Sequence, residues 1–127
     1  DAGLFCVKEY DVAGKHVHTF GGLGDAPGEF ARPKGIAVDR ESRLYVVDAA
    51  ASVVQIFDAA GRLLLFFGEA GSGRGQLFLP ASVVVDYDNV ELFREYISPG
   101  FEVEYLVLVT SQYGPQKVNV YGFGRQK

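Results

Sequence analysis

The strongest constraint in this chain is that it states one phrase twice. VKEYDVAGKHVHTFG (Val7–Gly21) lies over VQIFDAAGRLLLFFG (Val54–Gly68) at an offset of 47 residues, and GEFARPKGIAVD (Gly28–Asp39) lies over GQLFLPASVVVD (Gly75–Asp86) at the same offset. Val7 falls on Val54, Tyr10 on Phe57, Asp11 on Asp58, Gly14 on Gly61, Phe20 on Phe67, Pro33 on Pro80 and Asp39 on Asp86. A match held at one period of this length marks an array of like supersecondary units, each burying its apolar face against the next.

Within one period the apolar residues come in short runs divided by turn chemistry, which is the spacing of strands. Lys34–Val38 follows Pro33, which has no N–H to give a ladder and suits the start of a strand. Asp39–Ser42 is a polar turn, Leu44–Val47 a β-branched and aromatic second strand, and Val53–Phe57 an alternating third. Asp58–Gly61 is a tight turn with glycine where positive φ is expected, and Leu63–Phe67 is the fourth strand. Gly68–Gly75, with four glycines, is the link to the next unit. Four strands in about 47 residues is the unit of a propeller blade.

Composition removes several classes of function. With 48% hydrophobic residues, the 127-residue chain has enough apolar material for the core of a globular domain. Twelve Lys and Arg against sixteen Asp and Glu give a net charge of −4, so there is no cationic surplus for phosphates and no nucleic-acid partner is expected. The longest apolar run, Leu63–Phe67, is strand-sized where a helical membrane span needs about 18 residues, so no span is expected. The single cysteine, Cys6, excludes an internal disulfide and is expected to pack as a small buried residue. The chain starts at Asp1 and contains no methionine, which reads as a polypeptide processed or cut at an internal point, with room for a signal peptide upstream.

The pattern G-x-[FL]-x-x-P-x-x-[IV]-x-V-D at Gly28–Asp39 and Gly75–Asp86, followed by V-V-D at Val46–Asp48, V-Q-I-F-D-x-x-G at Val54–Gly61 and F-F-G at Phe66–Gly68, resembles the NHL-repeat β-propellers. The resemblance covers nearly the whole chain. It implies an all-β fold of about two and a half four-stranded blades, part of a six-bladed NHL-type propeller with one short helical insert. On this reading residues 1–27 are the last strands of one blade, 28–74 a complete blade, and 75–127 a modified terminal blade with the insert at about 88–98. Propellers close to protect their strand edges, so the remaining blades are expected from another chain or from a further segment. One loop departs from the family. Where members carry D-x-x-N-x-R before the third strand, Asp48–Val53 has Ala51 and Val53 at the Asn and Arg positions, so either packing replaces those polar ties or a ligand site has been lost.

The last unit is the irregular one. Val118–Tyr121 matches Val54–Phe57 at an offset of 64, so about 17 residues are inserted between the strands expected at Ser82–Asp86 and Tyr105–Thr110. Asp88 as N-cap with Glu91 in capping-box spacing, Val90, Phe93 and Ile97 on one face widened by Leu92 and Tyr96, and a stop at Ser98–Gly100 predict a helix over Asp88–Ile97. It is either a lid on its own blade or a docking element for a partner. The phrase LVLVTSQYGPQKVNVYGFG (Leu106–Gly124) resembles the closing blade of bacterial NHL-repeat proteins that accompany multihaem c-type cytochromes. That resemblance implies an extracytoplasmic electron-transfer assembly, in the periplasm, on the outer membrane or secreted. The haem would belong to the partner and no cofactor to this chain, which has no Cys-x-x-Cys-His.

Candidate functional residues are few. His16 and His18, two apart on a strand, point to one face, either as a metal pair or as solvent-facing residues or a haem-edge contact from the partner. Asp39, Asp48, Asp58 and Asp86 recur at turns, where Asp side chains hold nearby amides; calcium is the alternative. GEAGSGRGQ (Gly68–Gln76) lacks the Gly-Lys-Ser/Thr ending of a phosphate loop and reads as a link between units. Phe93, Arg94, Tyr96, Tyr113 and Lys117 are the expected partner-binding residues, on the assumption that the helix and the 112–117 loop form one rim. A non-catalytic protein-interaction scaffold is the reading these features favour, with no catalytic or metal residue assigned. The alternative is a metal-dependent lyase or lactonase-like enzyme, which would need ligands around a central channel.

Overall fold

Aspartate-led turns set the ends of the strands. Asp11, Asp39 and Asp58 each accept from the amides two and four residues ahead, and the chain closes behind them with Asp N–H bonds to the carbonyls of Lys15, Arg43 and Arg62. An Asx side chain that mimics a backbone turn in this way fixes where each hairpin reverses. A computed structural model describes all residues from Asp1 to Lys127. It is all-β, with nine strands in three antiparallel sheets.

The first sheet is the hairpin of β1 (Val7–Tyr10) and β2 (His16–Phe20). The second has four strands in chain order, β3 (Pro33–Val38), β4 (Leu44–Asp48), β5 (Val53–Phe57) and β6 (Leu63–Phe67). The third is β7 (Pro80–Asp86), β8 (Phe101–Ser111) and β9 (Val118–Gln126). The sequence repeat is reproduced in three dimensions, including the links. Leu23 and Phe30 form an isolated parallel bridge, and so do Ala70 and Leu77 one period on. Glu29 and Gln76 occupy matching places and each accepts, through its side chain, the amide three residues before it.

The sheets pack face to face, with the four-stranded sheet between the other two. One of its faces, through Leu44, Val46 and Phe57, meets Phe20 and Phe30; the other, through Tyr45, Val47, Val54 and Ile56, meets Val83, Tyr105, Val107 and Val109. Strand β4 is therefore buried along its whole length, which explains its continuous apolar run in place of an alternating one. Each such side chain fully withdrawn from water contributes about 1.5–3 kcal/mol.

Two sequence expectations change. The inserted helix is a 3-10 helix over Val90–Tyr96, and its N-cap is Asn89 with no side-chain cap bond. The expected capping box fails because its members are engaged elsewhere: Asp86 accepts from the amides of Asp88 and Asn89 and from the Asn89 side chain, while Glu91 pairs with Arg94. Seven residues are also too few to propagate an α-helix without strong caps. Strands β8 and β9 extend beyond the expected Tyr105–Thr110 and Val118–Tyr121, because alternating Phe101, Val103 and Tyr105 continue the pairing while Glu102 and Glu104 face Arg125. Gly124 permits this close ribbon, since a Cβ there would lie 1.8 Å from the Glu102 carbonyl oxygen.

Candidate functional site

On the C-terminal sheet, side chains alternate between the face toward the middle sheet and the outer face. Val83, Val107 and Val109 point inward, so Val84, Leu108 and Val120, aligned across the three strands, point outward. The 3-10 helix covers one end of this outer face. Phe93, Tyr96 and Ile97 from the helix and Leu106 and Val120 from the sheet line a groove of about 210 Å³. Leu106 is only 2% exposed in consequence, although it points away from the main core. The remainder is uncovered: Tyr96 is 67%, Val84 55% and Val118 51% exposed, and Leu92 on the same helix is 73% exposed.

The structure separates the expected partner residues into two groups. Phe93, Arg94 and Tyr96 are on the helix, with the Phe93 and Tyr96 rings 6.4 Å apart. Arg94 is held by Glu91 through both Nε and Nη2, which raises the guanidinium pKa and lowers that of the carboxylate. Tyr113 and Lys117 are in the β8–β9 turn, where the Tyr113 ring meets Phe78 edge-on at 6.0 Å and Lys117 Nζ donates to the Gln112 carbonyl at 3.3 Å. The helix folds back over β8 as far as Leu106, whereas the turn follows Ser111, so about five residues of strand, roughly 17 Å at about 3.4 Å per residue, lie between the groove and the turn.

A polar cluster that sequence reasoning missed ties the middle and C-terminal sheets together. Tyr45 Oη donates to Asp39 Oδ2 at 2.8 Å and shares a 2.6 Å hydrogen bond with Tyr105 Oη. Arg43 donates from Nε to Asp39 Oδ2 at 2.6 Å and from Nη2 to Tyr105 Oη at 3.3 Å. Burial alone would raise the Asp39 pKa, but the bonds from Arg43, Tyr45 and the Glu41 amide outweigh it and hold the carboxyl below its usual range. Burial pushes both tyrosine hydroxyls up, Tyr45 further because its hydroxyl also shares a bond with Tyr105 and donates to Asp39. All four groups are thus locked in one protonation state at neutral pH, and the cluster acts as a structural tie with no free base. Tyr45 and Tyr105 lie 60 residues apart, and no local spacing announces their meeting.

No protein-family model and no curated protein matches the chain.

The remaining candidates resolve into structural roles. His16 Nε2 is hydrogen-bonded to Thr19 Oγ1 at 2.8 Å and its ring lies against Tyr10, whereas the His18 ring packs on Phe20 and over Gly61. The carboxylates of Asp39, Asp48, Asp58 and Asp86 all accept from backbone amides. No group of three or more His, Cys, Asp or Glu side chains is placed to hold a metal ion. In the glycine-rich link, Gln76 Oε1 takes the Gly73 amide and Asn119 Oδ1 the Gly75 amide, so these donors are already engaged. Cys6 is buried. No helix is long and apolar enough to cross a membrane.

Proposed function

We propose that the chain is a segment of an NHL-type β-propeller and serves as a non-catalytic protein-interaction scaffold. The observation that carries this is the exposed apolar face of the C-terminal sheet, Val84, Val118 and Val120, with Tyr96 of the helix beside Val120. A contiguous exposed apolar surface of this kind is how a soluble protein presents an interaction site. The propeller reading is supported by the four-strand period, the face-to-face stacking of successive sheets, and the passage from β6, at the outer edge of one sheet, to β7, at the start of the next. Further blades from another chain or segment complete the ring. The resemblance of Leu106–Gly124 supplies the partner class: a multihaem c-type cytochrome in an extracytoplasmic assembly, with the haem on the partner.

Affinity capture of the native assembly, with cross-linking mass spectrometry and haem staining, tests this. The expected result is a haem-carrying protein cross-linked near residues 90–98 or 118–120, with Tyr96→Ala reducing capture by about tenfold or more and leaving thermal unfolding unchanged. Cross-links confined to other surfaces, or a loss of capture that tracks loss of folding, overturn the proposal.

A further inference from the structure

We infer that the free edge of β1 and the adjoining face of β3 form a docking site for an antiparallel β-hairpin with the residue pattern of Pro33–Asp48. The inference rests on the propeller-segment reading and names what completes its first sheet.

Strands β1 and β2 stand one period before β5 and β6. Strand β5 is paired on its inner edge by β4, with Val47 opposite Val54 and Tyr45 opposite Ile56; the inner edge of β1 has no partner. The lead into β1 is already shaped for one. Asp1 matches Asp48, and each accepts through Oδ1 from the amide three residues on, Leu4 or Ala51. Phe5 matches Ser52, and both adopt left-handed backbone, at φ 55° and 58°. For phenylalanine that conformation is costly and persists only where the surroundings require it. Asp1–Cys6 thus repeats the turn that carries β4 into β5.

The second observation is a pair of matched positions with opposite burial. In β7, Val83 is 5% exposed and Val85 is partly buried, because Ala37, Tyr45 and Val47 of β3 and β4 cover them. Their counterparts in β3, Ile36 and Val38, are 56% and 61% exposed. The backbones of β3 and β7 also touch directly, since a Cβ on Gly35 would lie 2.6 Å from the Ala81 carbonyl oxygen; on β3, Lys34, which matches Ala81, is exposed. A cleft of about 350 Å³ lies there, between Val7, Lys8 and Tyr10 of β1 and Pro33, Lys34 and Ile36 of β3. The occupant is fixed by what fills the equivalent place one unit on. Its inner strand carries glycine where it crosses β3, and its second strand pairs with β1 and sets β-branched and aromatic residues over Ile36 and Val38.

The test is titration of the isotopically labelled 127-residue chain with a synthetic peptide of residues 30–52, followed by NMR. Saturable binding is expected, with new amide protection at Val7–Tyr10 and shifts at Ile36 and Val38. Ile36→Lys combined with Val38→Lys should weaken binding about tenfold or more, while Leu64→Lys, on β6 at the other edge of the middle sheet, leaves it unchanged. No binding, equal binding of a scrambled peptide, or sensitivity to Leu64 in place of Ile36 and Val38 overturns the inference. Protection of Ile36 and Val38 that vanishes on dilution of the free chain also overturns it, by making a second copy the occupant. If the peptide aggregates, grafting a copy of residues 30–47 ahead of Asp1 decides the same question: a raised thermal midpoint supports the site and an unchanged one refutes it. The spectrum of the free chain reports separately on the three-sheet fold, so failure of the underlying reading is visible before any peptide is added.

Discussion

The middle and C-terminal sheets hold their incoming links at the same places with different chemistry. At the end of β4, Asp48 accepts from the amides of Ala31, Arg32, Ala50 and Ala51; at the matching end of β8, Ser111 accepts from Phe78 alone. In the third strand, Gln55 grips Gly28 and Glu29, and Asn119 grips Gly75 and Gln76 in the same way, with Tyr121 Oη adding a bond to the Gly75 carbonyl. The repeat is therefore carried by position, and residue identity follows only where several partners converge. Four converging amides require a carboxylate, whereas one is served by a hydroxyl.

That contrast is sharpest under truncation. Asp48→Ala leaves two amides of the part-buried link, Ala31 and Arg32, without an acceptor and should cost about 3 kcal/mol, while Ser111→Ala should cost about 1 kcal/mol, both read by urea unfolding. Equal costs would mean that the link in the C-terminal sheet is held by packing of Leu77 and not by its polar grip. Next in size is the tie between the two sheets: Tyr105→Phe removes the bonds to Tyr45 and Arg43 and should cost about 1–2 kcal/mol. The same cluster sets a pH dependence. Because the Asp39 pKa is depressed in the fold, its contribution is fully present above the ordinary carboxylate range and is lost as pH falls through the lower folded value. The stability difference between the parent chain and Asp39→Asn should accordingly narrow on acidification below about pH 4. A difference that stays constant would break the assignment. Smallest is Arg94→Ala, which should leave the thermal midpoint unchanged, because its pair with Glu91 is solvent-exposed at both ends; a measurable drop would show the helix to be more tightly coupled to its sheet than its exposure implies.

Strands β5 and β6 were legible to the residue because two short runs of β-branched, aliphatic and aromatic residues are separated there by the Asp58–Gly61 turn and closed by Gly68. Strand β4 was legible as a β-branched and aromatic run, and its burial on both faces came from the structure. What escaped was whatever depends on a second segment. Glu102 and Glu104 look like the end of a strand until Arg125 is placed beside them. Asp88 looks like a cap until Asp86 is found holding its amide. The Tyr45–Tyr105 bond spans the middle and last units, and the fold of the 3-10 helix back over Leu106 and Val120 depends on a strand whose length the sequence understated.

The sequence period and the sheet boundaries are out of step. A window of 47 residues beginning at Val7 holds β1 and β2 of one sheet followed by β3 and β4 of the next. Through the regular part of the repeat, up to β7, such a window holds four strands' worth of chain wherever it begins, so copying or losing one whole period rejoins half-sheets that fit each other and leaves no strand orphaned. Inheritance can thus lengthen or shorten that part of the array by a crossover at any codon of the repeat. The change of another length that this chain has kept falls in the last unit, shared between the connection from Asp86 to Phe101 and the extension of β8 that follows it.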